Sequence, residues 1–213
     1  MLKLWGRNTS INVQKVLWVL GELDLAFERV DVGGAFGGLD QPDFLALNPN
    51  GLIPVLEDGE ARIWESHAIV RYLAAKYDAG GLWPEDPADR ALADQWMDWH
   101  ATTLYPDFIA TFLGLVRTPP SQRNKAAIEL AAKRAGWHYE KLEEHLEGRD
   151  FICGDRLTMA DIPLGATLYR YFTLEIERPD LPNVESWYAR LQERKAYRDG
   201  VMISYEGLRV TEG

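Results

Sequence analysis

Apolar residues alternate with polar ones at Leu2 and Leu4, then recur at helical spacing at Val13, Val16, Leu17, Leu20 and Leu23 after the polar run Asn8-Thr9-Ser10. This pattern predicts a short strand leading directly into a helix N-terminus. Residues 27–32 predict a second strand, the pairs Gly33-Gly34 and Gly37-Gly38 a loop, and residues 43–47 a short helix. Ile53-Pro54-Val55-Leu56, a turn over residues 57–60 and residues 61–64 predict a hairpin. Ser66 then reads as the N-cap of a helix with an apolar stripe at Ile69, Val70, Leu73 and Tyr77. The predicted order is β-α-β-α-β-β-α, a parallel crossover followed by antiparallel pairing.

Gly80-Gly81, Pro84 and Asp86-Pro87 break this pattern, and strand signals largely cease after them. Two domains are expected, residues 1–78 and residues 87–213, with a boundary between them and the second all-α. Helical spacing covers residues 88–104, 108–116, 121–146, 158–173 and 183–196, punctuated by Pro106, Pro119-Pro120, Gly148, Gly154 and Pro179-Asp180-Leu181-Pro182. Leu157-Thr158-Met159-Ala160-Asp161-Ile162 predicts a structural capping box. Thr158 would cap the helix, Asp161 would reach back to its N–H, and Leu157 would pack on Ile162. Loss of the Thr158 hydroxyl is expected to cost about 1 to 2 kcal/mol.

Composition narrows the function. The chain has 213 residues, 46% of them hydrophobic, enough for a buried core. Its net charge of -10, from 33 acidic against 23 basic residues, argues against nucleic acid as a partner. No apolar run approaches the ~20 residues of a membrane span, and no secretory pattern follows Met1, so a cytoplasmic protein away from the membrane is expected. The one cysteine, Cys153, excludes an intrachain disulfide and a Cys-x-x-Cys pair, and reads as a buried small apolar residue. His100 and His138 read as helix-face residues and Trp96 with Trp99 as core; no metal site is expected.

Four segments, in this order, resemble the cytosolic glutathione transferase family: the turn containing Ser10, Asn48-Pro49-Asn50-Gly51-Leu52-Ile53-Pro54-Val55-Leu56, Trp64-Glu65-Ser66-His67-Ala68-Ile69, and the box at Thr158 and Asp161. Thr9-Ser10-Ile11-Asn12-Val13-Gln14-Lys15 is similar to the serine-type bacterial theta-like branch. The resemblance implies an α/β plus all-α fold, with a thioredoxin-like N-terminal domain and a helical C-terminal domain. It also implies a homodimer, with glutathione as co-substrate and no further cofactor.

The chemistry follows from that ligand. A free thiol near pKa ~8.5 is only about 3% thiolate at pH 7. A hydroxyl at Ser10, followed by the amide N–H groups of a helix N-terminus, can donate to the sulfur anion. One hydrogen bond to a charged group is worth roughly 1.5 to 3 kcal/mol, enough to lower the thiol pKa by about one to two units. A plain helix cap is the other use of that hydroxyl; Thr9 is its rival, and Asn12 can donate through its amide. The resemblance further implies a cis Ile53–Pro54 bond, Ile53 binding the cysteinyl part through its main chain, and Glu65 and Ser66 holding the γ-glutamyl ammonium and carboxylate.

Two positions depart from the family's pattern: Gly51 stands where serine-type relatives carry a histidine for the glycyl end, and Thr102 where a theta-branch segment ends in an acid. Arg7, Lys15, Gln41 and Asn50 are possible substitutes for the histidine, or surface groups. For the small hydrophobic electrophile, the resemblance implies Arg7 and, from the helical domain, Tyr105, Phe108, Ile109 and Phe112; their spacing equally suits core packing. Conjugation of the thiolate is the leading expectation. Glutathione-dependent peroxide or disulfide reduction and a non-catalytic binding module are the alternatives.

Overall fold

The computed structural model describes residues 1–212. Strand β1 (Leu2–Trp5) buries Leu2 and Leu4 and leaves Lys3 and Trp5 half-buried. It pairs in parallel with β2 (Phe27–Val30) and antiparallel with β3 (Val55–Asp58), which carries β4 (Ala61–Trp64) antiparallel on its other edge, giving the order β2-β1-β3-β4. Helix α1 (Ile11–Glu22) makes the crossover from β1 to β2, α2 (Pro42–Leu47) lies between β2 and β3, and α3 (Ser66–Tyr77) follows β4. This is the thioredoxin-like arrangement. Below the sheet, Phe44 of α2 packs with Val32 and Val55, and its ring meets Trp5 edge-on at 6.2 Å.

The remaining helices are α4 (Pro87–Trp99), α5 (Tyr105–Phe112), α6 (Lys125–Leu146), α7 (Asp161–Thr173), α8 (Pro182–Glu193) and α9 (Lys195–Gly200). Asp86 caps α4, its carboxylate accepting the N–H groups of Ala88 and Asp89, and Pro87 sits where a missing N–H costs nothing. Pro106 does not break the chain as expected. The backbone stays helical from α4 to α5 through a π-helical turn, His100–Leu104, where widened hydrogen bonding accommodates a residue without an N–H. The core of this unit includes Tyr139, fully buried, hydrogen-bonded to Thr167 at 2.7 Å and stacked on Tyr171 at 3.8 Å.

Two compact units result: Met1–Glu85 with Arg194–Ile203, and Asp86–Glu193 with the stretch from Ser204 onward. The first differs from the expected residues 1–78 because α9 returns to it. Gly200 lets the α9 backbone approach Trp18, Trp18 meets Tyr197 edge-on at 4.7 Å, and Arg194 pairs with Glu22. Residue 213, at the end of the expected second domain, lies outside the described residues.

Other expectations are corrected. Helix α1 is buried nearly all round, with Trp18 and Val19 fully buried while Leu17 and Leu23 of the predicted stripe are only half-buried. Helix α3 starts at Ser66 itself and its cap is Glu65. Helix α7 starts at Asp161 rather than at Thr158. Half of the capping box forms: the Asp161 carboxylate accepts the Thr158 N–H at 2.9 Å, but the Thr158 hydroxyl donates to that same carboxylate instead of capping the helix. His100 is fully buried beside Tyr105, whereas Trp96 and Trp99 are only half-buried. Cys153 is exposed, because it lies in the tight turn closed by the Phe151–Gly154 bridge. Partial enclosure of its sulfur pushes the thiol up, away from a reactive thiolate. Among the described residues no helix is long and apolar enough to cross a membrane.

Candidate active site

Strand register decides where the site can be. Trp5 stands opposite Val55, and Val55 opposite Trp64. The segment after β1, the segment before β3 and the segment after β4 therefore emerge at one end of the sheet. These carry Arg7 to Asn12, Ile53-Pro54 and Glu65-Ser66 respectively.

Ser10 is the N-cap of α1, with extended backbone angles of -84° and 123°. Its carbonyl accepts the Gln14 N–H at 2.9 Å, yet its side chain makes no capping hydrogen bond. The plain-cap use of this hydroxyl is thus not realised, and the oxygen sits beside the positive end of a twelve-residue helix. Asn12, half-buried on the first turn, accepts the Lys15 amino group on Oδ1 at 3.1 Å.

The loop before β3 is shaped by Asn48. Its buried side chain donates to the Leu52 carbonyl at 2.8 Å and accepts the Asn50 N–H at 3.0 Å. Gly51 completes the turn in the left-handed region, φ 63°, with the Leu39 carbonyl 3.2 Å from where a Cβ would stand. A side chain is disfavoured there on both counts. The Ile53–Pro54 peptide is cis, and Ile53 lies against Gly6, whose missing side chain makes the approach possible.

Glu65 holds φ 70°, a left-handed angle that costs a non-glycine residue of order 1 kcal/mol and clusters at functional sites. Its side chain is exposed, while Ser66, next in the chain at the start of α3, is 6% exposed. His67 Nε2 stands 3.1 Å from Lys15 Nζ, tying the first turn of α3 to the second turn of α1. Lys15 is therefore not the surface group expected among the glycyl candidates; it is 2% exposed. Gln41 and Asn50 are exposed, and Arg7 is half-buried with Gly34 packed across its guanidinium stem.

Of the residues expected to meet the electrophile, Arg7 belongs to the first unit and the aromatics to the second. Phe108 and Phe112 are buried core side chains, Phe112 lying between Tyr205, at 5.3 Å, and the Arg170 guanidinium, at 4.4 Å. Tyr105 is half-buried.

The fold and this arrangement define a thioredoxin-like domain joined to a helical one, and the comparisons identify the class. Residues 1–75 match the family "Glutathione S-transferase, N-terminal domain" and residues 92–195 match "Glutathione S-transferase, C-terminal domain". The chain belongs to the glutathione S-transferase family and is an enzyme of that kind. It is 44% identical to the glutathione S-transferase GstB of Escherichia coli K12, over 95% of this chain and 99% of that one. It is 34% identical to glutathione S-transferase 3 of Zea mays, over 94% and 93% of the two chains. Among solved structures it resembles the theta class glutathione S-transferase of Xanthomonas axonopodis pv. citri, with glutathione bound. That match has 47% identity and a TM-score of 0.92 over 95% and 98% of the two chains.

Proposed function

We propose that the protein conjugates the thiolate of glutathione to small hydrophobic electrophiles, and that Ser10 is the principal donor to the sulfur. The observation that carries this reading is the N-cap hydroxyl that does not cap. A donor left over at a helix N-terminus suits an anion. With one or two units of pKa lowering, between about a quarter and three quarters of bound glutathione would be thiolate at pH 7, against about 3% free. Asn12 adds an amide donor on the same turn. Ile53, before the cis proline, offers its main chain to the cysteinyl part, Ser66 its hydroxyl and N–H to the γ-glutamyl carboxylate, and Glu65 its carboxylate to the ammonium.

The raised Cys153 thiol supports glutathione, rather than the protein, as the source of the reacting sulfur. A homodimer accords with the family; sedimentation at the single-chain mass of 24.2 kDa would contradict it. The decisive measurement is turnover of an aryl halide by wild type and Ser10→Ala, with the thiol pKa of bound glutathione read in parallel. Ser10→Ala should lose about 10- to 100-fold in rate and raise that pKa by about one to two units. An unchanged thiol pKa would move the role to Thr9 or Asn12. No calorimetric signal at millimolar glutathione would sink the reading.

A further inference from the structure

A buried lysine lies behind the candidate donors, and nothing in the proposed chemistry has used it. Lys15 is 2% exposed and sits one turn after Asn12 on the same helix. Its amino nitrogen is 3.1 Å from Asn12 Oδ1 and 3.1 Å from His67 Nε2. Burying an amino group this fully is costly unless its hydrogen bonds are met, so the placement needs an account.

The first bond fixes the direction of an amide. A lysine only donates when charged, and the oxygen of an asparagine only accepts. With Oδ1 held by Lys15, the two N–H bonds of Asn12 face away from it. The second bond joins the amine to a neutral imidazole. Burial first, then the charges of Lys15 and Arg71, hold His67 far below the usual imidazole value, at about 2. The ring is therefore neutral, and its Nε2 accepts from Lys15 whenever the amine is charged.

Glu65, the cap of α3, acts on Lys15, and Arg71 of α3 acts on His67. Burial pulls Lys15 down to about 7, partly opposed by Glu65. Charged or neutral, the amine keeps an N–H for Asn12.

We propose that Lys15 is a positioning residue for thiol activation: it clamps Asn12 Oδ1 so that the Asn12 N–H2 group is presented beside the Ser10 hydroxyl, and through His67 it locks this donor pair to the Glu65-Ser66 turn. The inference rests on the reading of the site as a thiolate-binding one. It assigns Lys15 no contact with glutathione. A lysine needed only for folding would leave the bound thiol unaffected in any variant that still folds.

The test is a pH titration of thiolate absorbance in saturating glutathione for wild type, Lys15→Met, Lys15→Arg, Asn12→Ala and the Lys15→Met/Asn12→Ala double variant, with glutathione affinity measured by calorimetry. Lys15→Met should cut the thiolate fraction at a fixed pH by about 3- to 10-fold, the share of one neutral-to-charged hydrogen bond. Glutathione affinity should move by less than about 3-fold, so the loss appears in kcat rather than KM. Lys15→Arg should restore most of the thiolate. The double variant should be no worse than Asn12→Ala, because the two residues act in series. A wild-type thiol pKa in Lys15→Met, or additive shifts in the double variant, would overturn the inference while leaving the proposed function standing. No thiolate absorbance in the wild type would overturn both. If Lys15→Met does not fold, the Asn12 side-chain N–H2 resonance of the wild type decides: it should track the thiolate titration, and a resonance indifferent to it overturns the clamp.

Discussion

Asp161 folds its carboxylate back onto Thr158, accepting that residue's main-chain N–H at 2.9 Å and its hydroxyl at 3.2 Å, while the other carboxylate oxygen takes the Ile152 N–H at 2.9 Å. The group is fully buried, and desolvation pushes its pKa up to about 6 despite these hydrogen bonds. A native pKa above the unfolded one means that the fold favours the protonated acid. That contribution is full below about pH 4 and is lost as pH rises through about 6. The stability advantage of wild type over Asp161→Asn should therefore shrink by roughly 2 kcal/mol between pH 4 and pH 7. Urea unfolding at the two pH values measures it, and a constant gap would contradict the buried titration.

Ser10→Ala should separate activity from stability. Alanine at an ordinary serine N-cap costs about 1 kcal/mol. Here the hydroxyl makes no capping bond, so the expected cost is below about 0.5 kcal/mol, judged against that same scale. A thermal or urea midpoint close to wild type, alongside a large loss of turnover, is the expected outcome. A full capping penalty would mean that the hydroxyl serves the helix in solution.

The order of elements in the first unit was legible because each strand and helix there carries its own period and its own punctuation. The capping acid at 161 was legible in the Thr-x-x-Asp spacing flanked by Leu157 and Ile162, whereas the cis proline was readable only through resemblance to a family, since an Ile-Pro alone is common. Two things escaped. Lys15 falls on the stripe Ile11, Lys15, Trp18, Val19 and Glu22, and a charged residue inside such a stripe was the available signal. The burial of Trp18 was not legible locally, because the helix that covers it comes from residues 195–200. A hydrophobic pattern records which positions are covered and is silent on what covers them.

Glu22 serves two partners in that covered face. Its Oε1 accepts the buried Trp18 indole N–H at 2.8 Å, and both oxygens take a forked bond from Arg194, at 2.8 and 2.6 Å. Glu22→Ala leaves the indole N–H unpaired and should cost about 2 to 3 kcal/mol. Arg194→Ala, at a more exposed position, should cost about 1 kcal/mol. Denaturation of both single variants and the double variant should give less than the sum of the singles. Additivity would show that the ion pair contributes nothing.

Gly200→Ala inverts the usual helix rule. Propensity alone would gain about 0.8 to 1 kcal/mol for this change. The new methyl would stand 2.9 Å from the Trp18 nitrogen and 3.1 Å from its Cα, and backbone atoms cannot swing aside. Separation of α9 from α1 should therefore dominate, with a net loss of about 1 to 3 kcal/mol. A urea midpoint above that of wild type would show that the two helices part without cost.

The return of α9 also bears on how the protein is made. Translation delivers the four strands and α1 within the first 85 residues, but the helix that shields Trp18 is still unsynthesised. At roughly 5 to 20 residues per second, the wait is on the order of ten seconds. Throughout it, the nascent first unit presents an uncovered aromatic face to the cell. The unit that begins the chain is closed only after residues 86–193 of the other have been made, and a message truncated before codon 195 would release it permanently open.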